Sequence, residues 1–198
     1  MFKYFKKTSC LLLTPSGIII SINICLPEKQ QSLYLYAEHN RMTREEKFMQ
    51  EAIALSQNGV RNNEGGPFGC VIVKGEEIVG RGNNRVTSTN DPTAHAEVVA
   101  IRDACKSLDT FQLEDCEVYT SCEPCPMCLG AIYWARPKVI YFANNREDAA
   151  AIGFDDSMIY EEMKCDIEAR KIPIIKLGRE NALKVFEEWA GKIDKTAY

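Results

Sequence analysis

A chain of 198 residues, 45% apolar and 26% charged, has the size and composition of one globular domain with room for a tail. These values exclude a disordered chain, a collagen-like repeat and a multi-span membrane protein, and a net charge of −4 argues against a strongly basic nucleic-acid surface. Nine cysteines cannot all pair, and Cys122, Cys125 and Cys128 sit too close for long-range bridges, so metal binding in a reducing, cytoplasmic setting accounts for them better.

Residues 1–41 differ in character from the rest. They carry five Lys or Arg against two acids, leaving 19 basic against 26 acidic residues from Met42 onward. The apolar run Cys10–Leu26 is broken by Thr14, Pro15, Ser16, Gly17, Ser21 and Asn23, and is short for a membrane span. Its basic start and apolar middle resemble a secretory signal. We set residues 1–41 apart from the fold, as a loosely ordered tail or an upstream stretch before a true start at Met42. His39 reads as solvated. The folded domain is expected over residues 42–198.

Thr43-Arg-Glu-Glu46 is a capping box and predicts a helix with an apolar face of Phe48, Met49, Ala52, Ile53 and Leu55, ending near Asn58-Gly59. A Gly-rich loop over Asn62–Pro67 precedes a predicted hairpin of Phe68–Val73 and Ile78–Arg81. A polar loop (Asn83–Pro92), a helix (Thr93–Leu108) and a strand (Glu117–Thr120) follow. The helix Cys125–Ala135 ends at Arg136-Pro137, and a strand over Lys138–Ala143 and a helix over Arg146–Ile152 come next. Ile172–Leu177 reads as a last edge strand because it contains Pro173, and Asn181–Gly191 as a closing helix. This order predicts an α/β fold with a mixed sheet of about five strands covered by helices on both faces.

Two segments carry chemistry. Residues 91–97 read Asp-Pro-Thr-Ala-His-Ala-Glu, and residues 121–128 read Ser-Cys-Glu-Pro-Cys-Pro-Met-Cys. Together they match the H-x-E and P-C-x-x-C signature of zinc-dependent nucleobase deaminases. Cys125 and Cys128 face the same way on a helix, Pro126 suits its first turn, and a helix N-terminus favours thiolates. With His95 they make three metal ligands and leave one position open, as a catalytic zinc requires. Two thiolates and a neutral imidazole bring the zinc to net zero, so a base must take the proton of water, and Glu97 is placed for it. The competing reading is a closed structural site in which Cys122 joins Cys125, Cys128 and His95. Cys70, Cys105, Cys116 and Cys165 read as ordinary core or surface thiols.

These segments, with Gly-Gly-Pro-Phe-Gly (65–69), the run 119–137 and Gly-Phe-Asp-Asp-Ser (153–157), resemble the cytidine-deaminase superfamily, and within it the bacterial guanine deaminases. The resemblance implies a three-layer α/β/α cytidine-deaminase-like fold and hydrolysis of guanine at C2 to xanthine and ammonia. It implies one Zn2+ per subunit on His95, Cys125 and Cys128, proton shuttling by Glu97, and a second carboxylate, Asp156, near the amine. Asn84 matches a residue that hydrogen-bonds the purine, Phe68 and Trp134 match pocket residues, and Tyr198 matches a lid residue. It also implies a homodimer with exchanged C-terminal segments. The partner is then a small purine, with neither nucleic acid nor membrane expected. The alternatives are tRNA adenosine deamination, which wants a basic surface, deamination of guanosine, cytosine or an amino-triazine, and a non-catalytic zinc module.

Overall fold

The structure is a computed structural model that describes residues 8–13, 19–24 and 42–197. The chain divides into two units, Met1–Lys47 and Phe48–Tyr198. In the first, β1 (Thr8–Leu13) and β2 (Ile19–Ile24) pair antiparallel as a two-stranded sheet. His39 lies outside the described residues. Helix α1 (Arg44–Arg61) starts at the expected capping box: Thr43 N–H donates to Glu46 Oε2 at 2.7 Å and Glu46 N–H to Thr43 Oγ1 at 3.2 Å. The helix runs on through Gly59 instead of stopping there. Gly59 is buried, and a Cβ would press on the Asn83 side chain. It is a packing glycine, not a terminator.

The second unit is built on a four-stranded sheet of order β4-β3-β5-β6. Strands β3 (Gly69–Lys74) and β4 (Glu77–Asn83) form the hairpin, β5 (Cys116–Cys122) pairs antiparallel with β3, and β6 (Val139–Asn144) pairs parallel with β5. Side chains alternate across this sheet. Cys70, Ile72, Cys116 and Val118 face α3 (Ala96–Leu108) and α4 (Pro126–Ala135), while Val71, Val73 and Tyr119 pack with Ala52 of α1. Helices on both faces make the three-layer α/β/α arrangement.

The expected fifth strand does not form. Ile172–Leu177 is irregular and exposed. Its apolar residues and Pro173 meet no sheet edge, and a strand needs a hydrogen-bonding neighbour as well as a pattern. Two short helices form where none is predicted, α2 (Val86–Thr89) inside the polar loop and α6 (Ser157–Lys164), while α5 (Arg146–Ala151) forms where expected. Helix α7 (Arg179–Gly191) closes the described chain. Among the described residues no helix is long and apolar enough to cross a membrane.

Helix α3 lies unusually close to β4. Its buried face is Ala96, Glu97, Ala100 and Ala104, and a Cβ at Gly82 would overlap the Ala96 carbonyl oxygen. Small residues on both sides bring the first turn of α3 down onto the sheet. That approach carries Glu97 into the interior.

Candidate active site

The two motif segments meet at helix starts. His95 is the N-cap residue of α3 and Cys125 the N-cap of α4, each with extended backbone, and Pro126 occupies the first turn. Beyond the carboxyl end of β5, His95 Nδ1 stands 3.6 Å from Cys125 Sγ and 3.5 Å from Cys128 Sγ. The three donor atoms lie within 4.8 Å of one another.

The donor set fits a zinc ion. Zn–N of about 2.0–2.1 Å and Zn–S of about 2.3 Å at tetrahedral angles put N···S edges at about 3.6 Å. The observed separations are edges of that size. Electrostatics agree. The Cys125 thiol is drawn down to about 4, foremost by the hydrogen bond from Cys128 and against its burial, with help from His95. The Cys128 thiol is pushed up by Cys125 and by burial. The pair holds one negative charge readily and a second only with a cation beside it.

Cys122 stands apart from this cluster. Its thiol donates to the Asn145 carbonyl at 3.6 Å, and burial foremost raises it to about 11. It is a buried thiol aimed at backbone, so among the described residues the cluster has three donors and an open side.

The open side faces a cavity of about 450 Å³ lined by His95, Cys125, Glu97, Asn84, Phe68, Phe154 and Asp156, among others. Glu97 is 6% exposed. Its Oε1 accepts from the Thr120 hydroxyl at 3.2 Å and its Oε2 from Cys128 Sγ–H at 3.4 Å. Burial, ahead of every opposing hydrogen bond, lifts its carboxyl above the ordinary range.

Asn84 is buried, and its Oδ1 accepts from the backbone N–H of Gly66 and of Val86, both at 3.2 Å. Two N–H donors require the oxygen there, which leaves the NH2 group as a donor at the cavity. Asp156 occupies the N-cap position of α6 but accepts no cap bond; Asp155 Oδ1 takes the Ser157 N–H at 2.9 Å instead. The Asp156 side chain is thus spared for the cavity, and burial followed by the Cys125 charge raises its carboxyl.

Phe68 meets Phe154 edge-to-face at 4.9 Å, and the pair forms one wall. Phe154 had not been singled out, although it lies inside the Gly-Phe-Asp-Asp run quoted above. Thr120 had been passed over as a strand residue. The structure does not bring Trp134 to this cavity. Cys128, Ile132 and Ala135 set the buried face of α4, and Trp134 points away, 65% exposed, into a separate hollow with Ile101, Phe111 and Thr196. Tyr198 lies outside the described residues.

Comparison with known proteins accords with this geometry. Residues 42–144 match the model of the cytidine and deoxycytidylate deaminase zinc-binding region. The guanine deaminase of Bacillus subtilis (strain 168) is 53% identical over 153 residues, covering 77% of this chain and 98% of the relative. This chain belongs to the cytidine and deoxycytidylate deaminase family, in its guanine deaminase branch. The X-ray structure of guanine deaminase from Bacillus subtilis superposes on this deaminase with a TM-score of 0.75 at 53% identity, over 77% of this chain and 98% of that one. The guanine deaminase from Nitrosomonas europaea gives a TM-score of 0.53 at 33% identity, over 55% and 63%. A tRNA-specific adenosine deaminase of Aquifex aeolicus is 44% identical over 87 residues, 43% of this chain and 58% of the relative.

Proposed function

We propose that this deaminase hydrolyses guanine to xanthine and ammonia. The observation that carries the reading is one cavity lined by His95 and Cys125 of the donor cluster, the buried Glu97, the spared Asp156 and Asn84, between apolar walls. A planar base needs such a slot with a few directed polar groups. Likeness to the Bacillus subtilis enzyme over nearly its whole length supports guanine as the base.

His95, Cys125 and Cys128 would hold one zinc ion per subunit. When bound, the metal supplies Lewis acidity at the side left open by three protein donors. Glu97 accepts a proton from the attacking water as its oxygen bonds to C2, and delivers that proton to the adjacent ring nitrogen. It then relays the second proton to the amine, the C2–N bond breaks, and ammonia leaves as the C2 carbonyl forms. Asp156 stands near the departing amine and accepts hydrogen bonds from it, which disfavours bases lacking an amine there. Asn84 NH2 donates to an acceptor on the purine edge, and Phe68 with Phe154 bounds the ring face.

The assembly we propose is a homodimer with exchanged C-terminal segments, in the cytoplasm, with residues 42–198 as the catalytic unit. Trp134 and Thr196 border one hollow away from the chain's own cavity. In the exchanged dimer that corner serves the partner's pocket, which accounts for Trp134 standing outside its own.

Partial likeness to the Aquifex aeolicus enzyme favours one other reading, deamination of adenosine in tRNA. The excess of acidic residues beyond Met42 opposes it. Ammonia release from guanine, guanosine, cytosine, an amino-triazine and adenosine, measured beside salt-dependent tRNA retention, tests both. Fastest turnover of guanine with no retention is expected. Faster turnover of another base, or tRNA binding that weakens with salt, overturns the assignment.

A further inference from the structure

Strand β5 turns Cys116, Val118, Thr120 and Cys122 to one face, and Cys116 and Val118 belong to the core beneath α3 and α4. Thr120 is 1% exposed and stands in register with Cys70 of β3, a member of the same core. Everything about this position asks for an apolar side chain, and valine has the shape of threonine. A hydroxyl buried here without a partner would be destabilising. Its partner is Glu97 Oε1, at 3.2 Å.

We propose that Thr120 is a positioning residue for Glu97, holding its carboxyl group in the rotation that turns Oε2 toward the donor cluster. The inference rests on Glu97 being the proton carrier. An ionised carboxylate only accepts, so the hydroxyl donates to Oε1. Oε2 is left beside Cys128 Sγ, on the side of the donor cluster. Oε1 is thereby tied to the strand, and Oε2 is the oxygen presented on the cluster side. Without the hydroxyl the carboxyl group loses its tie to the strand, and its rotation about the last bond is held less firmly. Sequence alternation hides this role, because threonine passes as a β-branched strand residue.

The test compares Thr120→Val, which keeps the shape, with Thr120→Ser, which keeps the hydroxyl, in the full zinc-loaded chain. Thr120→Val is expected to lower kcat for guanine about ten- to hundredfold, the size of a lost hydrogen bond to a charged group. KM, zinc content and Tm should stay near the parent, and Thr120→Ser should recover most of the rate. In a Glu97→Gln background, Thr120→Val should change the residual rate little, because the two act as a unit. If Thr120→Val does not fold, Thr120→Ala takes its place. Parental kcat in the hydroxyl-free variant, or a loss that Thr120→Ser fails to recover, overturns the proposal. So does a fall in zinc content or Tm that accounts for the loss. If Glu97→Gln is inactive while Thr120→Val turns over normally, only the Thr120 inference fails; if Glu97→Gln is fully active, the proton-carrier reading itself fails.

Discussion

The two ends of the second unit are built on opposite terms. Around the donor cluster, Ala96, Ala100 and Cys128 are fully buried, whereas Ile175, Leu177 and Phe186 are 82%, 93% and 72% exposed and α7 buries no residue at all. Each of those large side chains would gain roughly 1.5–3 kcal/mol on burial. The first region is complete within one chain, and its packing holds donor atoms at fixed separations. The second is apolar without a core of its own, which is what the exchanged dimer proposed above would require. The difference teaches where the chemistry is preset and where the proposed assembly would have to complete it.

The largest expected effect breaks the first region's chemistry without its packing. Glu97→Gln removes proton transfer but keeps shape and most hydrogen bonding. Turnover of guanine should fall by roughly 10²–10⁴-fold, typical of a lost general acid–base. Zinc content by atomic absorption should match the parent, since the glutamate is not among the donors. Full turnover in this variant would assign the proton to another group.

A smaller effect is expected from the second region. Phe186→Asp with Trp189→Asp places charges on α7, where no residue is buried in the single chain. If the proposed dimer forms through α7, light scattering should show it giving way to monomer. Zinc content should hold while turnover falls, because the donor cluster is intact and the pocket loses the segment that the proposed exchange would supply. A dimer of parental activity would remove α7 from the interface and end the contrast drawn above.

What could be read from the sequence follows the same division. His95 and Cys125 could be placed at helix starts because Pro126, the H-x-E spacing and the C-x-x-C spacing act within a few residues. The hairpin was legible for the same reason, and β6 was legible as a strand, though not in its pairing. Ile172–Leu177 misled because an apolar run states a preference for pairing, not the presence of a neighbour. Gly59 misled because a glycine that ends a helix and one that admits Asn83 look alike in a string. Trp134 has the right chemistry for a pocket, but its direction depends on which face of α4 the core takes. Phe154 and Thr120 needed three-dimensional proximity to be seen. Their partners, Phe68 and Glu97, are far away in sequence.

The smallest expected effect concerns residues 1–41. The family match begins at residue 42, and every member of the donor cluster and its cavity follows that point. A chain starting at Met42 also keeps Thr43, whose hydroxyl accepts from Glu46 N–H at the start of α1. Its first turn therefore remains capped. Guanine turnover and Tm of residues 42–198 should equal those of the full chain. Adding Thr43→Ala to that shortened chain should lower stability by about 1 kcal/mol, a shift in Tm of about 2–4 °C for a domain of this size, with kcat unchanged. A shortened chain that is insoluble or inactive would show that the N-terminal residues belong to the working enzyme. A shortened chain that is active but loses no stability on Thr43→Ala would show that α1 is held by the packing of Ala52 against Val71, Val73 and Tyr119 and not by its cap.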